Sequence, residues 1–99
     1  MNNLIPLTEV FLKSSEYDSE EKTVMKYYSL RKIYINASQI SLLREDEGLA
    51  LLAHQGNLID GIDKRARFSK VFLSMGNTGT TAFSVIGEPE QIFKKMRSK

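Results

Sequence analysis

A chain of 99 residues with 41% hydrophobic and 26% charged side chains describes one small globular domain and excludes wholesale disorder. The absence of cysteine excludes a disulfide framework and every thiolate metal site. A net charge of +2 is too small to imply nucleic acid by itself. The first residues, Met1-Asn2-Asn3-Leu4-Ile5-Pro6, show no basic region and no long apolar core, so a signal peptide is not expected. The longest apolar run, Leu49 to Ala53, is far below the roughly 20 residues that span a bilayer. The sequence therefore predicts a cytoplasmic protein with no membrane partner.

Leu4 to Leu12 reads as a strand, with Ile5, Leu7 and Phe11 on one face and Val10 and Leu12 on the other. Pro6 lacks an amide donor and places this strand's start or edge there. The polar stretch Lys13 to Lys22 breaks the pattern and predicts a mobile loop over 13–22. Thr23 to Ile35 is rich in β-branched and aromatic residues, which favour a pleated, half-buried surface. Within it, Lys32-Ile33-Tyr34-Ile35 alternates, with the isoleucines inward. Asn36-Ala37-Ser38 predicts a bend, and Gln39 to Leu43 a further extended segment.

The stretch 44–67 is harder to read. Leu49, Leu51, Leu52 and Ala53 fit a short helix or one strand of a hairpin through Gln55-Gly56-Asn57. Gly48, Gly56 and Gly61 each cost about 1 kcal/mol inside a helix and favour the hairpin or a loop. Ser69 to Met75 predicts a strand, Gly76-Asn77-Thr78-Gly79 a turn, and Thr80 to Ile86 the returning strand. Glu88-Pro89-Glu90-Gln91 opens a helix with proline at its first position. Its acids lie at the positive end of the helix dipole and Lys94, Lys95, Arg97 and Lys99 at the negative end. Ile92, Phe93 and Met96 form its docking stripe. The elements together predict an α+β fold, mostly β. It is a small antiparallel sheet or partly open barrel of about five or six strands, with one C-terminal helix packed on it. Residues 1–99 form a single domain, with 13–22 and 44–67 as loops or insertions.

Leu7-Thr8-Glu9-Val10, then Ile33-Tyr34-Ile35-Asn36-Ala37-Ser38-Gln39-Ile40, then Phe83-Ser84-Val85 leading to Glu88-Pro89-Glu90-Gln91-Ile92, resemble the small FlbD-type proteins of flagellar operons and similar short phage-encoded proteins. The resemblance covers about half the chain, in pieces. It implies a strand, a strand and turn carrying an asparagine, and a strand followed by a short helix that begins with acids. Against it, Lys13 to Lys22 and Asp46 to Arg67 look like additions. For the phage-encoded proteins it implies an accessory or anti-defence role, by binding a host protein or sequestering a small signalling nucleotide. No functional residue is carried over.

The chemistry-bearing residues read as follows. His54 is the only histidine and has no nucleophile in a recognisable frame beside it, so no catalytic residue is assigned and no enzyme is expected. Asp60 and Asp63 lack the alternating frame of a calcium loop, so no metal and no cofactor is expected. Gly76 to Thr80 is either an anion cradle or a hairpin turn, and lacks the ending of a phosphate loop. Tyr27, Tyr28, Arg31, Lys32 and Tyr34 interleave rings with cations, a pattern that suits either base stacking or ordinary cross-strand packing. Lys64, Arg65, Arg67 and Lys70 are the densest basic cluster, able to grip phosphates or carboxylates. These nine residues are the candidate ligand- or partner-binding surface.

The leading expectation is a non-enzymatic binding or regulatory protein, acting as a homo-oligomer or on a host protein. The alternatives are an oligomeric binder of an anionic small molecule such as a nucleotide, with a tyrosine stacking on the base, and a nucleic-acid-binding module.

Overall fold

The computed structural model describes residues 3–97, so Met1, Asn2 and Lys99 of the readings above lie outside the described residues. The first strand, β1 (Leu4–Asp18), and the second, β2 (Thr23–Asn36), pair antiparallel from Leu4 opposite Asn36 to Asp18 opposite Thr23. The one irregularity lies between Leu12 and Ser14. The expected loop over 13–22 is therefore corrected: 13–18 is strand and only 19–22 turns. Asp18 Oδ1 closes that turn by accepting from the amides of Glu20 and Glu21 at 3.0 and 3.2 Å, and Lys22 takes a φ of 56°. The stretch reads as loop because neither face of it is covered. A strand with water on both sides has no apolar alternation to display.

Three shorter strands follow: β3 (Ile40–Glu45), β4 (Phe68–Ser74) and β5 (Thr80–Ile86). All neighbours are antiparallel and the five strands form one open sheet in the order β2-β1-β5-β4-β3. The two halves meet at one short crossing, Glu9 opposite Val85 and Val10 opposite Ser84. β2 and β3 are the free edges, yet the 3-residue turn Ala37–Gln39 joins them. Four chain steps reach at most about 14 Å. Edges of a flat five-stranded sheet lie about 19 Å apart, so the sheet coils at that end.

Strand alternation sends apolar residues to both faces. On one face Ile5, Leu7, Ile35, Val71, Leu73 and Val85 form a buried cluster under Ile92. Ile92 belongs to α2 (Pro89–Arg97), with Glu90 in its first turn and Lys94, Lys95 and Arg97 in its last, as the dipole favours. On the other face Val10 and Phe68 meet Leu49, Ala53 and Leu58.

Leu49 and Ala53 belong to a second helix, α1 (Glu47–His54), so the expectation of one helix and the hairpin reading of this stretch are both corrected. Asp46 caps α1 by accepting from Leu49 N at 3.2 Å. The glycines delimit the helix instead of breaking it. Gly56, at a φ of 76°, donates to Ala53 O at 3.0 Å, and Asn57 donates to Leu52 O at 2.8 Å. That pair of bonds is the Schellman ending that a positive-φ residue permits.

The sheet is thus covered on both sides over its centre, but the cover stops short of the hairpin tip. β1 alone, with 15 residues, spans about 50 Å at 3.3 Å per residue, matching the longest dimension of 53 Å. The radius of gyration is 15.2 Å, against about 13 Å for a compact chain of this size. The distal part of the β1–β2 hairpin is an arm.

Candidate contact surface

Covering elements pack over the crossing at Glu9 and Val10, so strand residues further out keep their side chains in water. On the arm, Leu12, Tyr17, Val24, Met25, Tyr27 and Leu30 are all exposed, Tyr17 to 66%. Of the other exposed large apolar side chains among the described residues, Leu4 and Tyr34 lie at the base of the same two strands, and Leu42, Leu51, Met75 and Phe93 are scattered over separate parts of the chain. β2 runs without interruption, so its even positions share the face of Tyr28, whose ring packs on the Phe68 cluster. On that face Val10 lies opposite Leu30, Leu12 opposite Tyr28 and Tyr17 opposite Val24, an apolar stripe broken only by Ser15 opposite Lys26. The reverse face carries Phe11 opposite Ser29, Ser14 opposite Tyr27 and Glu16 opposite Met25. The outer edge of β2 has no strand neighbour, so its backbone donors and acceptors on that side stand ready to pair.

The sequence-derived candidates divide into groups that the fold does not unite. Tyr27, Tyr28, Arg31, Lys32 and Tyr34 stand on β2 and Lys70 on β4, with β1 and β5 between them, a separation of about 14 Å. Tyr27 and Arg31 also face away from Lys70, which shares a row with Arg44 and Ser84 on the α1 side. Arg31 is engaged: its Nε donates to Glu9 Oε1 at 2.7 Å and its guanidinium lies 4.2 Å from the Phe11 ring centroid. Glu9 is only 7% exposed, so this pair neutralises a carboxylate at the strand crossing. Lys32 stacks on Tyr34 at 5.6 Å.

Lys64, Arg65 and Arg67 follow α1 in the loop leading to β4. Arg67 pairs with Glu45 and, at 3.6 Å, with Glu88. The Glu45 bond raises the already high pKa of Arg67 further. Arg65, its side chain 90% exposed, forms its ion pair among the described residues with Asp63. Asp63 accepts from the Arg65 amide at 2.8 Å, and that bond holds its carboxyl below the ordinary range. His54 ends α1 in solvent. Gly76 to Gly79 forms the β4–β5 hairpin turn, closed by Met75 N donating to Gly79 O at 2.8 Å. Among the described residues no three His, Asp or Glu side chains gather as a metal site would need. Among them, too, no helix is long and apolar enough to cross a membrane.

A separate groove of about 440 Å³ opens where β1 and β5 diverge below their crossing. Leu7, Ile86 and Ile92 line it together with Lys32 and Lys95. Lys95 Nζ donates to Pro6 O at 3.3 Å.

No family model, no curated protein and no solved structure matches this chain.

Of the arm's apolar residues, the site reading from sequence included only Tyr27 and Tyr28. The missed ones had a signal. Thr23 to Ile35 places large apolar side chains at both odd and even positions, which a strand with one buried face does not do.

Proposed function

We infer that the protein is a non-enzymatic binding module whose contact element is the β1–β2 arm, with another protein surface as its ligand. This is the kind of role implied by the resemblance to short phage-encoded accessory proteins. One observation carries the reading: six large apolar side chains stand in water on a projecting two-stranded ribbon. A ribbon of this kind is marginally stable by itself, and a concentrated apolar patch on a small domain marks an interaction surface.

The test is retention by the tagged full chain, compared with a Tyr17→Ser/Val24→Ser variant of the arm. Both positions are exposed, so the variant keeps its fold. A protein, whether a second copy of this chain or another, should be held by the wild type and lost by the variant. Equal retention by both, or none by either, rejects the arm as the contact element.

The groove at the β1–β5 divergence favours a second reading, an anionic small-molecule binder. Lys32 and Lys95 line the groove beside Leu7, Ile86 and Ile92; Lys95 already donates to Pro6 O, and Lys32 makes no ion pair with a described residue. Inorganic phosphate or a nucleotide should then raise the melting temperature, and Lys32→Ala should abolish the rise. No rise with any of them rejects this reading.

A further inference from the structure

We propose that two copies of this chain pair arm to arm, β2 against β2 and antiparallel, about a two-fold axis at Tyr27. This rests on the reading of the arm as the contact element and names its occupant.

The edge determines the register. A two-fold axis perpendicular to the sheet keeps each side chain on its own face, so the axis must pass at a residue position. The cations of β2 are Lys26, Arg31 and Lys32. Centring on Lys26 or Arg31 sets like charges directly opposite, and centring on Ser29 sets Lys26 against Lys32. Centring on Tyr28 puts Arg31 beside the partner's Met25 and Lys32 beside the partner's Val24. Centring on Leu30 needs the outer edge at 33–36, where the chain coils toward β3.

Centring on Tyr27 confines the pairing to the exposed arm and matches its chemistry. Tyr27 meets the partner's Tyr27, and Lys26 meets the ring of the partner's Tyr28. Tyr17 and Val24 then continue into the partner's Leu30 and the partner's Val10 as one apolar row, because each pair already shares a row within its own arm. On the reverse face Asp18 and Thr23 line up with the partner's Arg31. Beyond the paired stretch, Lys22 of the turn falls in line with the partner's Lys32, and the turn acids Glu20 and Glu21 beside it outnumber it there. The distal end of the arm, 16–22, carries the four acids Glu16, Asp18, Glu20 and Glu21 against one cation, Lys22, while Arg31 and Lys32 stand on β2 toward the base. Antiparallel self-pairing therefore joins opposite charges twice, which is the argument for a second copy over an unrelated strand. A pairing limited to 23–31 is small as interfaces go, so association should depend on concentration.

The chain has no cysteine, which makes cross-linking clean. Directly opposite Cα atoms in an antiparallel pair lie about 4.5–5.5 Å apart, inside the span of a disulfide. Oxidised at tens of micromolar, Tyr27→Cys should form a covalent dimer. Leu30→Cys, about 20 Å from its copy in this register, should not. Wild-type mass by light scattering should rise with concentration from 11.3 kDa toward twice that value. Val24→Asp, at an exposed position, should stay monomeric with an unchanged circular-dichroism spectrum. A wild type that is monomeric throughout, or equal cross-linking of both cysteine variants, overturns the proposal. If another protein is still retained through the arm in that case, the contact reading stands and only the self-pairing falls.

Discussion

Replacing Ile92 by alanine tests the packing of α2 on the sheet. Ile92 is 1% exposed and lies over Ile5, Leu7, Val71 and Val85. Three side-chain carbons are removed, at about 0.8 kcal/mol each. The rigid strands beneath cannot close the space, which adds about 1 kcal/mol. Alanine's better helix propensity returns about 0.4 kcal/mol. The net cost is about 3 kcal/mol, or about 15 °C in Tm for a domain of this size. Phe93, the next residue on the same helix, is 43% exposed, so Phe93→Ala should cost less than about 0.5 kcal/mol. Urea unfolding followed by circular dichroism measures both, at an unchanged denaturant slope. If Ile92→Ala costs under 1 kcal/mol, or Phe93→Ala costs more than it does, the docking face of α2 is wrongly assigned.

Phe68→Ala should cost about 4 kcal/mol in the same assay, because Phe68 is fully buried on the opposite face; a silent substitution would mean that only one face is covered. Asp46→Ala should cost about 1–2 kcal/mol, since it removes the cap on Leu49 N and the acceptor of the Ser84 hydroxyl at 2.9 Å; amide exchange at Leu49 should quicken, and unchanged exchange would refute the cap. Gly87→Ala should cost about 1–3 kcal/mol, because Gly87 has a φ of 121° and the new Cβ would sit 3.3 Å from Gln91 Oε1; a neutral result would deny that strained geometry. Asp63 should titrate below the ordinary carboxylate range by NMR, and Asp63→Asn should remove a small stabilisation that is present above the unfolded pKa and lost as pH falls through the folded one. An ordinary titration would show that the Arg65 amide does not hold it.

Local rules made much of the fold legible. The β4–β5 hairpin and the final helix follow from signals within a few residues of each other: a glycine-rich turn between two alternating strands, a proline at a helix start, and charges ordered along the dipole. β2 and the bend after it were equally local, since Asn36 accepts from Ser38 N at 3.0 Å within its own turn. The signal for α1 is masked by its glycines: Gly48 and Gly56 read as helix breakers, yet one falls in the first turn and the other ends the helix in the left-handed conformation.

The candidate site was legible only in part. Tyr27 and Tyr28 carried a composition signal, but the basic cluster did not join them, because adjacency in sequence says nothing of which strand lies between two others. Burial, pairing partners and exposure are properties of the whole chain. Lys13 to Asp18 has no pattern of its own and is strand only because β2 lies alongside it. Arg31 looks like a free cation until β1 brings Glu9 opposite it, 22 positions away. The sequence alone determined where the last helix and the strands other than 13–18 form, since hydrophobic period and turn chemistry act over one or two turns of chain. Only the tertiary structure decided that two helices cover opposite faces and stop short of the hairpin tip. Where cover ends is set by which distant segments pack together, and it is that boundary which leaves the arm's apolar residues in water.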